Sequence, residues 1–344
     1  MNTDILKDSD LKDPEIRRMI KNRIKNDELV VFPTETVYGI GANALSETAV
    51  KKIFTVKGRP SDNPLIVHLS NKDDVFKYVK NVSSNALKLM DAFWPGPLTL
   101  VFESNGLFSS VVTGGLNTVG IRVPSNLVAR DIISLSEVPI CAPSANISGK
   151  PSSTLFAHVK DDFDGLVSTI IDGGGVEIGL ESTVLDMSVS VPTIIRPGKV
   201  TQAMIEAVLN IKIDNQSDRE SNDSPKSPGM KYKHYAPKGV VTLVEGERAK
   251  VIDYINSQGL KHPNKKTACL CPDEFKKDLK LETVIQLGSM DKLETIGENL
   301  FKSLRLMDEL KIDYIYIPAI SYEGLGEAIM NRLIKAANHN IIKV

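Results

Sequence analysis

Lys57 and Arg59 flank a glycine at the start of the run KGRPSDNPLIVHL (57–69). Two prolines and Asn63 follow before the chain enters an apolar stretch that carries His68. Cations fixed in a rigid turn are typical of anion sites, because arginine offers phosphate a planar, bidentate fork and lysine a compact charge. For this motif alone, the alternative is an ordinary solvated basic turn.

Two further segments place polar groups in short loops beside predicted strands. In TVGIRVPSN (118–126), period-two alternation puts Gly120, Arg122 and Pro124 on one face of a strand. Arg122 either points to water or lines a cavity and pairs with a carboxylate. The segment PICAPSANISGKPSST (139–154) offers hydroxyls and backbone N–H groups suited to anions, or is an ordinary polar turn.

The usual nucleotide-binding loops are absent from the sequence. The segment LVVFPTETVYGIGANA (29–44) contains a GxG but no GxGxxG, and no Walker pattern GxxxxGK[ST] occurs anywhere. If this protein binds a nucleotide, it does so without either loop. Near the middle of the chain, GLESTVLDM (179–187) begins a strand with Ser182, and IIRPG (194–198) ends one with Arg196.

Six motifs in a fixed order resemble the YrdC-type threonylcarbamoyl-AMP synthases over about the first two hundred residues. The segment SPGMKYKHYAPKG (227–239) and the α/β pattern after it are similar to the two-domain form of that family. The six motifs are KGRPSDNPL, WPGPLT, GIRVPSN, APSANISG, GLESTV and RPG.

The resemblance implies a specific reaction. L-threonine, bicarbonate (or CO₂) and ATP would become threonylcarbamoyl-AMP, pyrophosphate and water, and the product would pass to a tRNA threonylcarbamoyl transferase. Direct tRNA binding is left open. Mg²⁺ is expected with ATP, but its ligands are not identified. Glu35 and Glu181 are candidates, and for each the alternative is a strand-end hydrogen bond.

The resemblance also implies two groups of binding residues. Lys57 and Arg59 are expected to act in catalysis, by stabilising charge on the α-phosphate. The expected ATP contacts are Lys57, Arg59, Asn63, Thr118, Ser144, Asn146, Ser152, Arg196 and Tyr235. The expected threonine contacts are Thr34, His68, Arg122, Ala142 and Ser182.

The fold class predicted is α/β. The resemblance implies a YrdC-like twisted mixed sheet with a concave basic cavity in residues 1–211. Residues 212–239 form a predicted linker that closes over this cavity as a lid. From 240 to 344, alternating strands and helices predict a smaller Rossmann-like parallel domain. Its first turn lacks a glycine-rich fingerprint, which indicates an accessory module.

Helices are predicted at regular intervals in both halves of the chain. The predicted ranges are 12–26, 46–56, 72–79, 83–92, 126–134, 201–209, 247–258, 292–309 and 325–338.

Composition agrees with two cytoplasmic domains. A chain of 344 residues with 42% hydrophobic residues can bury two cores, and a net charge of −1 excludes a globally basic nucleic-acid binder. Three cysteines cannot all pair, which favours a reducing compartment. We expect neither a signal peptide nor a membrane span, because no basic, apolar leader and no apolar run near 18 residues is present.

Three alternatives stay open at this stage. A concave basic surface is also suited to an RNA-binding module. A related carbamoyltransferase uses the same kind of domain, although such proteins carry paired CxxC zinc motifs that this chain lacks. A scaffold-only role would require the cavity cations to be paired internally.

Overall fold

The structure is a computed structural model that describes residues 2–61, 63–216, 234–261 and 264–344. These residues form two compact units. The first contains the described residues up to Ser148, then Ser153–Glu177, then those from 181 to 216. The second contains Gly149–Ser152, Ile178–Leu180 and the described residues from 234 to 344. Most of the predicted lid therefore lies outside the described residues.

The first unit alternates short strands and helices. Its strands are β1 (Asp4–Lys7), β2 (Val30–Phe32), β3 (Gly39–Asn43), β4 (Ile66–His68), β5 (Leu98–Glu103), β6 (Thr118–Arg122), β7 (Ile140–Cys141), β8 (Thr169–Asp172), β9 (Thr183–Asp186), β10 (Thr193–Arg196) and β11 (Asp214–Asn215). Its helices are α1 (Pro14–Lys25), α2 (Glu47–Lys57), α3 (Ser84–Phe93), α4 (Ser110–Thr113), α5 (Leu127–Ser136), α6 (Phe156–Phe163) and α7 (Gln202–Leu209).

These strands form one mixed sheet in the order β1-β8-β2-β3-β7-β4-β6-β5-β9-β10-β11. β4 and β6 run parallel, with His68 opposite Arg122, whereas β5 and β6 run antiparallel. β5 runs parallel to β9, with Thr99 opposite Val184. The sheet thus brings β4, β6, β5 and β9 side by side, and these strands carry or adjoin several predicted site residues.

Side-chain caps explain where most helices of the first unit begin. The side chain before each helix accepts a hydrogen bond from a backbone N–H in the first turn, which satisfies a donor that would otherwise lack a partner. The capping residues are Asp13 for α1, Ser46 for α2, Ser83 for α3, Asn126 for α5 and Thr201 for α7.

The second unit contains a five-stranded, fully parallel sheet in the order β14-β13-β15-β12-β16. Its strands are β12 (Val240–Glu245), β13 (Thr267–Pro272), β14 (Thr283–Gly288), β15 (Tyr314–Pro318) and β16 (Ile341–Lys343). Its helices are α8 (Arg248–Lys261), α9 (Leu293–Glu309) and α10 (Leu325–Ala336). The predicted fold class, a mixed α/β sheet with a second, parallel α/β sheet, is confirmed.

Several local predictions differ from the structure. The predicted helix at 72–79 is a short 3₁₀ helix, Lys72–Lys77, because the chain leaves it to bridge Val79 to Ser104. Helices α4 and α6 were not predicted, because they are only four and eight residues long. Strand β1 was not predicted either; it is an edge strand whose burial alternates and which pairs with β8.

The three cysteines are free thiols in strands. Cys141 lies in β7 of the first unit, and Cys269 and Cys271 lie in β13 of the second. All three are fully buried. Among the described residues, no helix combines the length and the apolar character needed to cross a membrane.

Candidate active site

Arg122, at the end of β6, is a buried cation held by three protein groups. Its Nη2 lies 2.6 Å from a carboxylate oxygen of Glu35, and both side chains are almost fully buried. Its Nη1 donates to Thr36 Oγ1 (2.9 Å) and its Nε to the Gly96 carbonyl (3.2 Å). Burial alone would raise the pKa of Glu35, but the Arg122 guanidinium holds that pKa below its ordinary value. Arginine has five N–H donors, so these three contacts do not use all the donors of Arg122.

Thr34 closes the tight turn that carries Glu35. Its hydroxyl donates to the Val37 carbonyl (2.6 Å), and its oxygen lies 2.9 Å from Thr36 Oγ1. The backbone N–H of Thr34 donates to the same carbonyl (3.2 Å). Because the chain turns this sharply after β2, Glu35 and Thr36 both reach Arg122.

His68 lies beside Arg122 in the sheet and is neutral. Its Nδ1 is 3.2 Å from the Ile66 carbonyl. Burial, together with the Arg122 charge, lowers the pKa of His68 to about 3. At neutral pH the imidazole therefore adds no charge beside Arg122.

Ser182, just before β9, joins a second buried arginine to a neighbouring strand. Arg196 donates from Nε to the Ser182 carbonyl (3.0 Å) and from Nη2 to Ser182 Oγ (3.1 Å). The Ser182 hydroxyl also lies 2.8 Å from Thr99 Oγ1 of β5. The three residues form a buried chain of hydrogen bonds across β5, β9 and β10.

Lys57 holds the loop after β7 from the end of α2. Its Nζ donates to the carbonyls of Ser144 (2.5 Å) and Asn146 (2.7 Å), and its own carbonyl accepts from the N–H of Ser148 (2.9 Å). Within the loop, Ser144 Oγ donates to Asn146 Oδ1 (2.6 Å). The structure thus brings three predicted ATP contacts together and gives Lys57 a role in shaping this loop.

Gly58 lets the chain turn sharply between the two predicted catalytic cations. It adopts a left-handed conformation (φ 61°) that ends α2, and the N–H of Arg59 donates to the Phe54 carbonyl (3.0 Å). Asn63, four residues further on, is fully buried. Neither polar atom of the Asn63 side chain has a hydrogen-bond partner among the described residues. A buried amide without partners is costly, so Asn63 is suited to meet a ligand.

The remaining predicted contacts of the first unit lie on strands or at their ends. Thr118 begins β6 opposite Glu103 and is buried. The backbone N–H of Ala142, after β7, donates to the Ile66 carbonyl (3.1 Å). Ala142 Cβ would lie 3.2 Å from a Cβ placed on Gly39, so this glycine allows close approach of the two segments.

Ser152 and Tyr235 belong to the second unit. Ser152 is fully buried. Tyr235 is buried and stacks on Phe301 of α9, with ring centroids 5.0 Å apart, and its ring is 5.5 Å from that of His234. Its φ of 63° is unusual for a residue other than glycine.

The described residues contain no group of three His, Cys, Asp or Glu side chains arranged to hold a metal ion. Of the two carboxylates considered for Mg²⁺, Glu35 is paired with Arg122. Glu181 is buried beside Ser182. The donor set therefore does not fit a preformed magnesium site in this part of the chain.

Sequence reasoning missed two hydroxyls and the role of one carboxylate. Thr36 and Thr99 contact predicted site residues that are 86 and 83 positions away in the chain. For Glu35 the sequence predicted a metal ligand or a strand-end hydrogen bond, whereas its carboxylate is the partner of Arg122. The motifs PTET and WPGPLT contain these residues, but the contacts depend on strand pairing that local patterns do not reveal.

Residues 22–198 match the sequence profile of the Sua5–YciO–YrdC family, described as "Telomere recombination". This chain belongs to the Sua5–YciO–YrdC family. Residues 200–338 match a second profile, "Threonylcarbamoyl-AMP synthase, C-terminal domain". The resemblance stated from the six motifs is thereby confirmed, in its two-domain form.

Relatives in the Sua5–YciO–YrdC family are similar over nearly their whole length. A protein of Pyrococcus abyssi (strain GE5 / Orsay), named threonylcarbamoyl-AMP synthase, is 46% identical over 330 residues, which cover 95% of each chain. One of Bacillus subtilis (strain 168), with the same name, is 41% identical over 341 residues, 99% of this chain and 98% of its own. The crystal structure of P. abyssi Sua5 complexed with L-threonine superposes with a TM-score of 0.91 at 43% identity, covering 99% and 100% of the two chains.

Proposed function

We propose that this chain is a threonylcarbamoyl-AMP synthase that acts on L-threonine, bicarbonate or CO₂, and ATP. Relatives that bear this name match almost the entire chain. Within the structure, the observation that carries the proposal is Arg122, a buried cation fixed at one end of a strand by Glu35, Thr36 and Gly96. A guanidinium held in this way is suited to a bidentate contact with an amino-acid carboxylate.

The proposed chemistry needs no enzyme nucleophile. The threonine amine and bicarbonate form a carbamate and water, and a carbamate oxygen then attacks the α-phosphorus of ATP. The bond from that phosphorus to the bridging oxygen breaks, and pyrophosphate leaves. The protein would act by holding two anions together and by stabilising charge that develops on the phosphate.

The proposed threonine pocket combines Arg122 with groups around the ends of β2, β4 and β7. Thr34, His68, the backbone at Ala142, and Ser182 are its other proposed members. A neutral His68 supports the role of Arg122 in this pocket, because a positively charged imidazole would repel the nearby guanidinium.

The proposed ATP contacts are supported by their polar chemistry and burial. Lys57 and Arg59 are the proposed catalytic cations, and Asn63 offers an amide with no partner among the described residues. The other proposed ATP contacts are Thr118, Ser144, Asn146, Ser152, Arg196 and Tyr235. We infer that Mg²⁺ enters as part of the nucleotide substrate, bound to phosphate oxygens, which agrees with its preference for few protein ligands.

The proposed product would be consumed by a tRNA threonylcarbamoyl transferase, which would place this protein in the cytoplasm. The segment 212–239 is proposed to close over the nucleotide. It contains Tyr235, whose ring packs on Phe301 in the second unit.

The deciding experiment measures pyrophosphate release with ATP, threonine and bicarbonate, and with each omitted in turn. We expect release that depends on all three, and threonylcarbamoyl-AMP detected by mass spectrometry. Release without threonine would contradict the proposal. Salt-sensitive RNA binding with no ATP turnover would favour the RNA-binding alternative.

A matched pair of variants connects that activity to the site. Arg196→Ala removes a buried arginine that bonds Ser182, whereas Arg23→Ala removes a partly buried arginine that bonds Thr169 elsewhere in the same sheet. We expect Arg196→Ala to lose pyrophosphate release and Arg23→Ala to keep it.

A further inference from the structure

Thr99 is not among the proposed binding residues, yet its hydroxyl contacts one of those residues, Ser182. Thr99 is the second residue of β5 and is fully buried. Its methyl group faces β6, where a Cβ placed on Gly120 would lie 3.2 Å from Thr99 Cγ2. Its hydroxyl faces Ser182, with the two oxygens 2.8 Å apart. Packing on both sides therefore fixes the orientation of this side chain.

Either hydroxyl could be the donor in this hydrogen bond, and a count of donors and acceptors shows what each direction leaves unsatisfied. A hydroxyl has one hydrogen and two lone pairs. One lone pair of Ser182 Oγ accepts from Arg196 Nη2. In the described part of the chain, the only hydrogen-bond partner of Thr99 Oγ1 is Ser182. If Ser182 were the donor, the hydrogen of the Thr99 hydroxyl would have no acceptor among the described residues. If Thr99 were the donor, the same would hold for the hydrogen of Ser182. Both side chains are buried, so without a ligand either direction leaves one buried hydroxyl hydrogen without an acceptor, which is costly.

The two directions differ in which hydrogen a ligand can satisfy. Ser182 is a proposed threonine contact and Thr99 is not, so only the direction in which Thr99 donates lets an acceptor atom of the ligand satisfy the remaining hydrogen. In this direction the consequence falls on Ser182. Both lone pairs of Ser182 Oγ are occupied, one by Arg196 and one by Thr99. The hydroxyl hydrogen of Ser182 has no acceptor among the residues that the structure describes. Ser182 can then serve a ligand only as a donor, toward an oxygen that accepts.

We propose that Thr99 is a positioning residue that orients the Ser182 hydroxyl to donate to an acceptor oxygen of the bound amino acid, in its carboxylate or its side chain. This inference rests on the proposed function and deepens it. It assigns Ser182 a donor role, so Ser182 does not accept a hydrogen bond from the substrate ammonium. It also means that Thr99 acts on threonine without touching it.

The test compares Thr99→Val with Thr99→Ser. Valine keeps the shape and suits a strand but removes the hydroxyl, whereas serine keeps the hydroxyl. We expect Thr99→Val to raise the KM for threonine roughly tenfold, as loss of one neutral hydrogen bond allows, with a smaller change in the KM for ATP. Thr99→Ser should recover most of the threonine KM.

Thr169→Val is the matched control. Thr169 is a fully buried strand threonine whose hydroxyl accepts from Arg23 (2.6 Å), and in the described part of the chain no hydrogen bond joins that hydroxyl to a proposed site residue. We expect Thr169→Val to leave the threonine KM unchanged, even if its melting temperature falls as much as that of Thr99→Val.

Three outcomes would overturn the inference while wild-type activity stands. They are an unchanged threonine KM in Thr99→Val, no recovery in Thr99→Ser, and equal KM changes in Thr99→Val and Thr169→Val. If the wild-type protein released no pyrophosphate from threonine, bicarbonate and ATP, the proposed function itself would fail. Failure of the inference and failure of the function are thus separated by the wild-type assay.

Discussion

At the scale of single residues, the proposed site contains cationic side chains that other protein groups hold in position. Arg122, Lys57 and Arg196 are examples. Arg122 and Glu35 are both nearly inaccessible to water, and their ion pair carries no net charge. Burying two charges is costly, so such a pair is weak evidence for stability. Its value is geometric, because the guanidinium is fixed before a ligand arrives.

Arg122→Ala is expected to weaken threonine binding far more than ATP binding. Loss of a buried carboxylate pair should cost about 2–5 kcal/mol of threonine affinity. Calorimetric titration of each ligand measures the difference. Because Glu35 would be left buried without its partner, the stability of this variant must be measured as well.

Arg122→Lys is the control for that loss of charge. Lysine keeps the cation but lacks the planar fork, so it should recover only part of the threonine affinity. Equal losses for threonine and ATP in both variants would mean that Arg122 supports the fold alone.

His68 is expected to make the protein sensitive to acid. Its pKa is about 3 when folded, below its ordinary value, so the unfolded chain binds a proton that the native protein does not. The free energy of unfolding therefore falls as pH drops below about 6.5, and this contribution continues down to about pH 3. Between pH 6.5 and 5 it amounts to about 2 kcal/mol.

Chemical denaturation of His68→Gln at the two pH values tests this expectation. The variant should lose about 2 kcal/mol less on acidification than the wild-type protein. His339→Asn, an exposed histidine with a left-handed backbone that asparagine tolerates, is the control and should behave like wild type. An unchanged acid sensitivity in His68→Gln would assign the effect to other groups.

At the scale of elements, glycines determine how closely the strands and loops of the site approach. A Cβ on Gly198, just after β10, would lie 2.4 Å from the Thr183 backbone nitrogen and 2.9 Å from the Glu181 carbonyl. Those residues flank Ser182 at the start of β9. The glycine of the RPG motif thus sets the position of Ser182 without touching its side chain.

Gly198→Ala is expected to displace the start of β9. Such overpacking should cost about 1–3 kcal/mol of unfolding free energy and should also raise the KM for threonine. Gly175→Ala is the matched control, because its nearest neighbour would be 3.4 Å away, an ordinary contact. If the two variants had the same stability and the same KM, this packing argument would be wrong.

Most helices and the class of the fold could be predicted from sequence, because periodicity and capping residues are local signals. The helix predicted at 46–56 is α2, Glu47–Lys57, with its cap at Ser46. The order of the mixed sheet could not be predicted, because strands such as β5 and β9 pair across more than eighty residues. For the same reason, the motifs contain Ser182, Arg196 and Thr99 but did not predict that Thr99 contacts Ser182.

At the scale of the whole molecule, the chain divides into two compact units, and the division does not follow sequence order. The short segments Gly149–Ser152 and Ile178–Leu180 belong to the second unit, although residues on both sides of each belong to the first. A residue belongs to a unit because of its contacts and not because of its position in the chain. The predicted boundary at residue 211 therefore could not include these two short segments in the second unit.

A chain truncated after Gln216 is expected to fold but to lose most activity. It keeps the whole eleven-stranded sheet, including β11, and the large core of the first unit. It lacks Tyr235 and the rest of the unit to which Ser152 belongs. Circular dichroism should show a cooperative melt, and pyrophosphate release should be strongly reduced. Full activity in the truncated chain would show that the second unit is only a tethered domain.

Each unit contains at least one buried cysteine whose reaction with a thiol reagent can report local opening of that unit. Burial raises the pKa of Cys141 to about 12 and that of Cys269 well above its ordinary value, so neither thiol reacts until its strand is exposed. Modification by a thiol reagent under native conditions would then report how often each sheet opens. The modification rate of Cys141 would measure opening of the first unit, and the rates of Cys269 and Cys271 in β13 would measure opening of the second. No label would have to be added to the protein.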